Sequence, residues 1–339
     1  MLKAAVGIVM ALSAAAASVA QSPHSLYGPH GVSPVAVRQG VLGSCYFHAS
    51  IAALAMAAPD KLRVAIRQNF PVGYKVHFAS GPDEAVYPDD IKYGRVHGFD
   101  ESDGDWVLAL MRAYAQREVR QSLVDSIQRS TIILAFAKPL ALKWLNETDL
   151  MLVAYDRAIR AVVRQNGSMD KESLKRNLAA ELSKIGIPAS ESQMLVGFLD
   201  EEGFFAAIAK TVQQNGEVFG AYKSIGQGGI PVRVIEAFLG SAGAAEAGNR
   251  QTVLKELRSL REGGVALVAS TPGAAPDAKV AIANWWVPSH AYTVMAYDES
   301  SGMVSLRNPW GTRPDPDGIF SLPFEVFEES FDYVSYSER

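Results

Sequence analysis

Gln39-Gly40-Val41-Leu42-Gly43-Ser44-Cys45-Tyr46 runs directly into Phe47-His48-Ala49-Ser50-Ile51-Ala52-Ala53-Leu54-Ala55-Met56, and the reading of the whole chain turns on these two stretches. The first is rich in glycine and breaks any regular strand. The second is rich in alanine, has high helix propensity and runs until Pro59. The pattern predicts a helix that opens at Cys45, with Ser44 as its cap. A thiol there lies at the positive end of the helix dipole, which favours thiolate, the form that attacks carbonyl carbon. Cys45 is also the only cysteine of the chain. It has no partner for an internal disulfide, which leaves an intermolecular bond or a reactive thiol.

Near the other end, Ser289-His290-Ala291-Tyr292-Thr293-Val294-Met295-Ala296-Tyr297 precedes Val304-Ser305-Leu306-Arg307-Asn308-Pro309-Trp310-Gly311. Alternating β-formers flank the polar turn Asp298-Glu299-Ser300-Ser301-Gly302, which predicts a hairpin. Pairing outward from that turn brings His290 within about one residue of Asn308 across the ladder. A His beside an Asn, with a helix-start Cys elsewhere, makes a set of nucleophile, base and orienting group.

These segments resemble the calpain-type cysteine proteases of the papain-like superfamily. Gln-Gly-x-Leu-Gly-x-Cys stands at Gln39 to Cys45, His-Ala-Tyr at His290 to Tyr292, and Arg-Asn-Pro-Trp-Gly at Arg307 to Gly311, all in the family's order. Weaker matches are Val86 to Asp90, Trp106 to Ala115 and Asp317 to Leu322. The resemblance covers residues 36–115 and 216–335. It implies an α+β, two-lobed papain-like fold, with a helical N-terminal lobe and a mostly antiparallel β lobe after it. It also implies a Cys45–His290–Asn308 triad, with Gln39 and the Cys45 backbone N–H stabilising an oxyanion and Trp310 shielding the His–Asn hydrogen bond from water.

Met1-Leu2-Lys3, the apolar run from Ala4 to Ala17 and Ser18-Val19-Ala20 read as a secretory signal peptide over residues 1–20, cleaved before Gln21. The mature chain is then secreted or periplasmic and carries no membrane anchor. A Pro-, Gly-, Ser- and His-rich lead-in follows over 21–35. The helical lobe spans 36–240, with short strands Tyr74–Phe78 and Glu84–Pro88 paired as a hairpin. The acids of Asp100-Glu101-Ser102-Asp103-Gly104-Asp105 cap the helix that begins at Trp106. Residues 116–225 are a helical insertion, read from Leu150–Val163 and Leu174–Ile185, with Trp144, Met194 and Phe198 as core. A small-residue linker over 241–250 leads to the β lobe of 251–339, which opens with an amphipathic helix over Thr252–Leu260 and a buried strand over Val265–Ser270.

A formal net charge of −4 with interspersed charges offers no broad attraction for nucleic acid. The expected partner is a protein or peptide substrate, and no cofactor is required. His48 has no second cysteine or HExxH motif to complete a zinc set and reads as packing; His24, His30, His77 and His97 have no recognisable partners. The chain departs from the family at Ser44 and Tyr46, which replace Asp and Trp. It departs more consequentially at Ala36, where the family places a calcium-binding Asp, and in the short segment after Gly311. Activity independent of calcium is therefore expected. The alternatives are a transglutaminase-like or deamidating thiol acyltransferase, and an inactive papain-like module that binds peptides.

Overall fold

The computed structural model describes residues 25–68, 73–129, 154–155, 157–159, 161–162, 170–200, 205–206, 222–276, 280, 283–312 and 317–338. The expected signal peptide, Trp144 and much of the expected insertion lie outside them. The architecture is mixed α and β with antiparallel sheets.

Helix α1 spans Cys45–Ala57, and every residue from Tyr46 to Ala55 is buried. A helix that is apolar all round belongs inside a core, which is why the alanine-rich run shows no polar face. Pro59 ends α1 by opening the next helix, α2 (Pro59–Ala65), at its first position, where the missing N–H costs nothing. Strands β1 (Ile66–Gln68), β2 (Tyr74–Val76) and β3 (Glu84–Val86) form an antiparallel sheet in that order. The expected hairpin is thus present, with β1 added at its edge. Helix α3 (Pro88–Val96) is followed by α4 (Trp106–Arg129). Arg120 on α4 grips Glu84 of β3 through two parallel bonds of 2.7 and 2.8 Å, both side chains being buried. Fork-to-carboxylate geometry of this kind fixes the sheet against the helix, and removing one partner would strand a buried charge at a cost of about 3–5 kcal/mol.

Within the insertion, α5 (Lys171–Lys184) begins at Asp170, whose carboxylate accepts the Ser173 N–H at 2.8 Å. Helix α6 (Ala189–Gly197) follows, and Phe198 beyond it is buried. Met194 departs from the expectation and is exposed, 37% of its surface facing solvent. After α7 (Tyr222–Ile225) and α8 (Pro231–Leu239), the chain turns at Gly240, whose φ of 88° closes the helix in the left-handed region.

The second sheet has the order β4-β9-β5-β6-β7-β8, every neighbouring pair antiparallel. Its strands are β4 (Ala242–Glu246), β5 (Leu267–Ser270), β6 (Ala291–Asp298), β7 (Met303–Arg307), β8 (Ile319–Pro323) and β9 (Tyr333–Ser337), with α9 (Arg250–Glu262) after β4 and α10 (Phe324–Ser330) before β9. Here the structure corrects the expected linker over 241–250: its first half is edge strand β4, paired with β9 from Ala242↔Ser337 to Glu246↔Tyr333. Small residues with no side-chain pattern are held in the sheet by main-chain bonds alone. Gly243 is required there because a Cβ would lie 2.6 Å from the Tyr336 ring.

The sheet separates two cores. Ala266, Val268 and Ala291 pack with α1 on one side, while Leu267, Ala269, Tyr292 and Val294 pack with Val253, Leu257, Phe324 and Phe327 on the other. A strand covered on both faces needs no polar alternation, so Val265–Ala269 is apolar throughout. Because α1 lies directly on β5 and β6, its first turn meets the end of β6.

Candidate active site

Cys45 starts α1 as expected, but Ser44 does not cap it. The Ser44 hydroxyl instead meets His48 Nδ1 at 3.1 Å and the Leu42 carbonyl at 3.4 Å. The helix is closed by main chain alone, the N–H groups of Phe47 and His48 both donating to the Ser44 carbonyl at 3.0 Å. This leaves the N–H groups of Cys45 and Tyr46, joined by that of Ala291 from β6, within reach of the sulfur. Burial pushes the Cys45 thiol above its ordinary value, and these three N–H groups act against that rise.

His290 immediately precedes β6. Its backbone is clamped by Thr271, whose hydroxyl accepts the His290 N–H at 3.0 Å and whose N–H donates to the His290 carbonyl at 2.9 Å. Ser289 before it has φ of 48°, a conformation non-glycine residues seldom adopt and one that concentrates at functional sites. His290 Nε2–H donates to Asn308 Oδ1 at 3.0 Å, and the Trp310 N–H donates to the same oxygen at 3.1 Å. Because a backbone N–H can only donate, that atom is the amide oxygen. The imidazole therefore carries its proton on Nε2 and leaves Nδ1 as the basic nitrogen. The Trp310 ring lies 4.8 Å from the His290 ring, centroid to centroid. Burial lowers the His290 pKa to about 4, opposed by the Asn308 hydrogen bond.

The hairpin register differs from the expected one by a bulge. Asp298↔Met303 through Ala296↔Ser305 pair regularly, then the register shifts to Val294↔Leu306 and Thr293↔Arg307, leaving Met295 unpaired. Continued one step, the shifted ladder sets Asn308 opposite Tyr292, on the face that carries His290. Without the extra residue Asn308 would come opposite Thr293, on the other face.

Gln39 is buried, its N–H donating to the Pro309 carbonyl at 2.9 Å and its backbone bridging to Asp100. Its amide Nε2 donates to the Leu42 carbonyl at 2.5 Å, which leaves the second Nε2 hydrogen available. Its Oε1 is buried without a partner. An orphaned acceptor costs about 1–3 kcal/mol, and such costs recur where function dictates how a side chain is held. Gln39, Cys45 and His290, with Trp310, line one cleft of about 530 Å3.

His48 does not face that cleft. It is fully buried, with Nε2 3.0 Å from Asp100 Oδ1, and Ser102 donates to the same carboxylate oxygen at 2.6 Å. Of the acids expected to cap α4, Asp105 stands at the N-cap position and its carbonyl accepts the Ala109 N–H at 2.8 Å, while the carboxylates go elsewhere. Asp100 is taken by His48 and Ser102, Asp103 by His30, and Asp105 by Arg95 at 2.5 and 2.7 Å. His77 and His97 likewise have partners that sequence did not reveal, Asp83 and the Tyr93 carbonyl. The missed Asp100 matters to the site, because it ties the α1 helix through His48 and the Gln39 segment through its own backbone. Contacts that join residues 52 apart leave no local signal. Among the described residues no group of three His, Cys, Asp or Glu side chains is arranged to hold a metal, and no helix is long and apolar enough to cross a membrane. No family model and no curated protein matches this chain.

Proposed function

We propose that the chain is an exported, papain-like cysteine endopeptidase of calpain type. The observation that carries the reading is the His290–Asn308 hydrogen bond beside Trp310, in a cleft shared with a cysteine at the start of a buried helix. Cys45 Sγ attacks the scissile carbonyl carbon and its proton passes to His290 Nδ1. The oxyanion that forms takes hydrogen bonds from the Cys45 N–H and the free Gln39 Nε2 hydrogen. As the C–N bond breaks, the imidazolium gives its proton to the leaving amine. Water then hydrolyses the thioester with the imidazole as base. Asn308 keeps the ring in the productive tautomer throughout.

Burial raises the thiol and lowers the imidazole, so the pair holds a single proton over a wide range of pH. The N–H groups at the sulfur favour moving that proton to nitrogen.

The test uses the purified chain with a casein digest and an electrophilic epoxide probe. Wild type is expected to cleave casein and to be labelled on Cys45, whereas Cys45→Ala does neither and melts at nearly the same temperature. Peptidase activity that survives in Cys45→Ala would overturn the assignment. Release of ammonia from glutamine side chains without backbone cleavage would point to the deamidating alternative.

A further inference from the structure

Apart from His290, the cleft wall formed by the described residues carries one ionisable side chain besides the thiol and the Tyr46 phenol, the carboxylate of Asp332. It is exposed and has neither an ion pair nor a side-chain hydrogen bond, unlike Asp100, Asp103 and Asp105. Its backbone, by contrast, is held on both sides. The Asp332 N–H donates to the Ser270 carbonyl, and its own carbonyl accepts the Ala247 N–H, both at 2.8 Å. A fixed main chain that presents an unpaired charge to a cleft suits recognition better than packing.

The sheet register relates the backbone that carries this charge to the backbone at the nucleophile. Ala291, whose N–H reaches the Cys45 sulfur, pairs with Ser270, and Ser270 pairs with Tyr333 beside Asp332. Two strand spacings, about 10 Å, separate the Ala291 and Tyr333 backbones, and Asp332 adjoins Tyr333. An extended peptide advances about 3.3 Å per residue, so Asp332 falls two or three residues from the bond under attack. We propose that Asp332 selects substrates with a Lys or Arg side chain at that distance from the scissile bond. This inference rests on the peptidase reading and names the substrate class of that same site. The remaining wall is uncharged and small near Asp332, with Ser270, Thr271, Pro272 and Gly273, so nothing there competes for a cation.

The experiment uses N-acetylated fluorogenic peptides, in which only side chains carry charge, with Lys or Arg, a neutral residue or Glu at each of three positions on either side of the cleaved bond. Wild type is expected to prefer the basic series at one position by roughly fivefold in kcat/KM, the size of an ion pair at a half-open rim. Asp332→Asn should erase that preference while leaving the neutral series and the rate of epoxide labelling of Cys45 unchanged, and Asp332→Lys should turn it toward Glu. A wild type that cleaves peptides without a basic preference, or one whose preference survives Asp332→Asn, overturns this inference alone. A protein that neither cleaves any peptide nor reacts with the epoxide overturns the peptidase reading and this inference with it.

Discussion

His290 is pulled in two directions, and the balance sets two measurable pH dependences. Burial disfavours the imidazolium and lowers its pKa from 6.5 to about 4, while the Asn308 carbonyl oxygen opposes that fall. Because the folded pKa lies below the unfolded one, the unfolded chain binds the extra proton first as pH falls. Stability is then lost between about pH 6.5 and 4 and changes no further from this group below that range. The full window corresponds to about 3 kcal/mol. Urea titrations of wild type and His290→Gln across it are expected to converge as pH falls, the variant lacking this slope; parallel curves would contradict it. The same shift places the acid limb of kcat/KM near pH 4 rather than at the ordinary histidine value. The triad makes a second prediction. His290→Ala removes the base and lowers kcat by about 10²–10⁴-fold. Asn308→Ala loses only the orienting hydrogen bond, on the order of tenfold. Equal and negligible losses in both variants would remove the triad.

At the scale of elements, Gly318 holds the orienting residue Asn308 in place. The Asn308 N–H donates to the Gly318 carbonyl at 2.8 Å, and Gly318 has φ of 71°. A Cβ on Gly318 would come 2.8 Å from the Asn308 carbonyl oxygen. Gly302 in the hairpin turn has nearly the same φ, 67°, with open space around it. Either glycine replaced by alanine should cost about 1–2 kcal/mol for the left-handed conformation. Gly318→Ala alone should also lower kcat, because it displaces Asn308; thermal melts and initial rates on both variants separate the two effects. Legibility in the sequence followed the same division. Helix α1 and the β6–β7 hairpin were readable because each announces itself locally, one by an alanine-rich run between glycine and proline, the other by alternation around a polar turn. The bulge at Met295 was not, since no glycine marks it. Strand β4 read as a linker because Ala-Gly-Ala-Ala has little strand propensity, and it is set only by its partner β9. Asp332 could be recognised only once the sheet had brought it to the cleft.

Across the whole molecule, the working geometry depends on holding the cysteine helix against the sheet that carries His290 and Asn308. In the resemblance read from sequence, calcium does this for the family. Here direct polar contacts tie α1 and the segment before it to that sheet. The Thr293 hydroxyl donates to the Ala49 carbonyl at 2.9 Å, the Arg307 guanidinium to the Val37 carbonyl at 2.7 Å, and the Gln39 N–H to the Pro309 carbonyl at 2.9 Å. Arg307 is so deeply enclosed that burial, with Arg38 nearby, lowers its pKa to about 10, which keeps it charged at neutral pH. Three acids of the segment 100–105, Asp100, Asp103 and Asp105, already have His48, His30 and Arg95 as partners, and a calcium ion would have to displace these to gather its six or more oxygens there. Alignment by direct contact leaves a cation with little differential affinity for the working arrangement, and a ligand without such a difference shifts no equilibrium. The expected outcome is peptidase activity unchanged in excess EGTA and a melting temperature that does not move when millimolar calcium is added. Activity that disappears with the chelator and returns with calcium would mean that the Thr293, Arg307 and Gln39 contacts do not suffice to hold the nucleophile and the imidazole together.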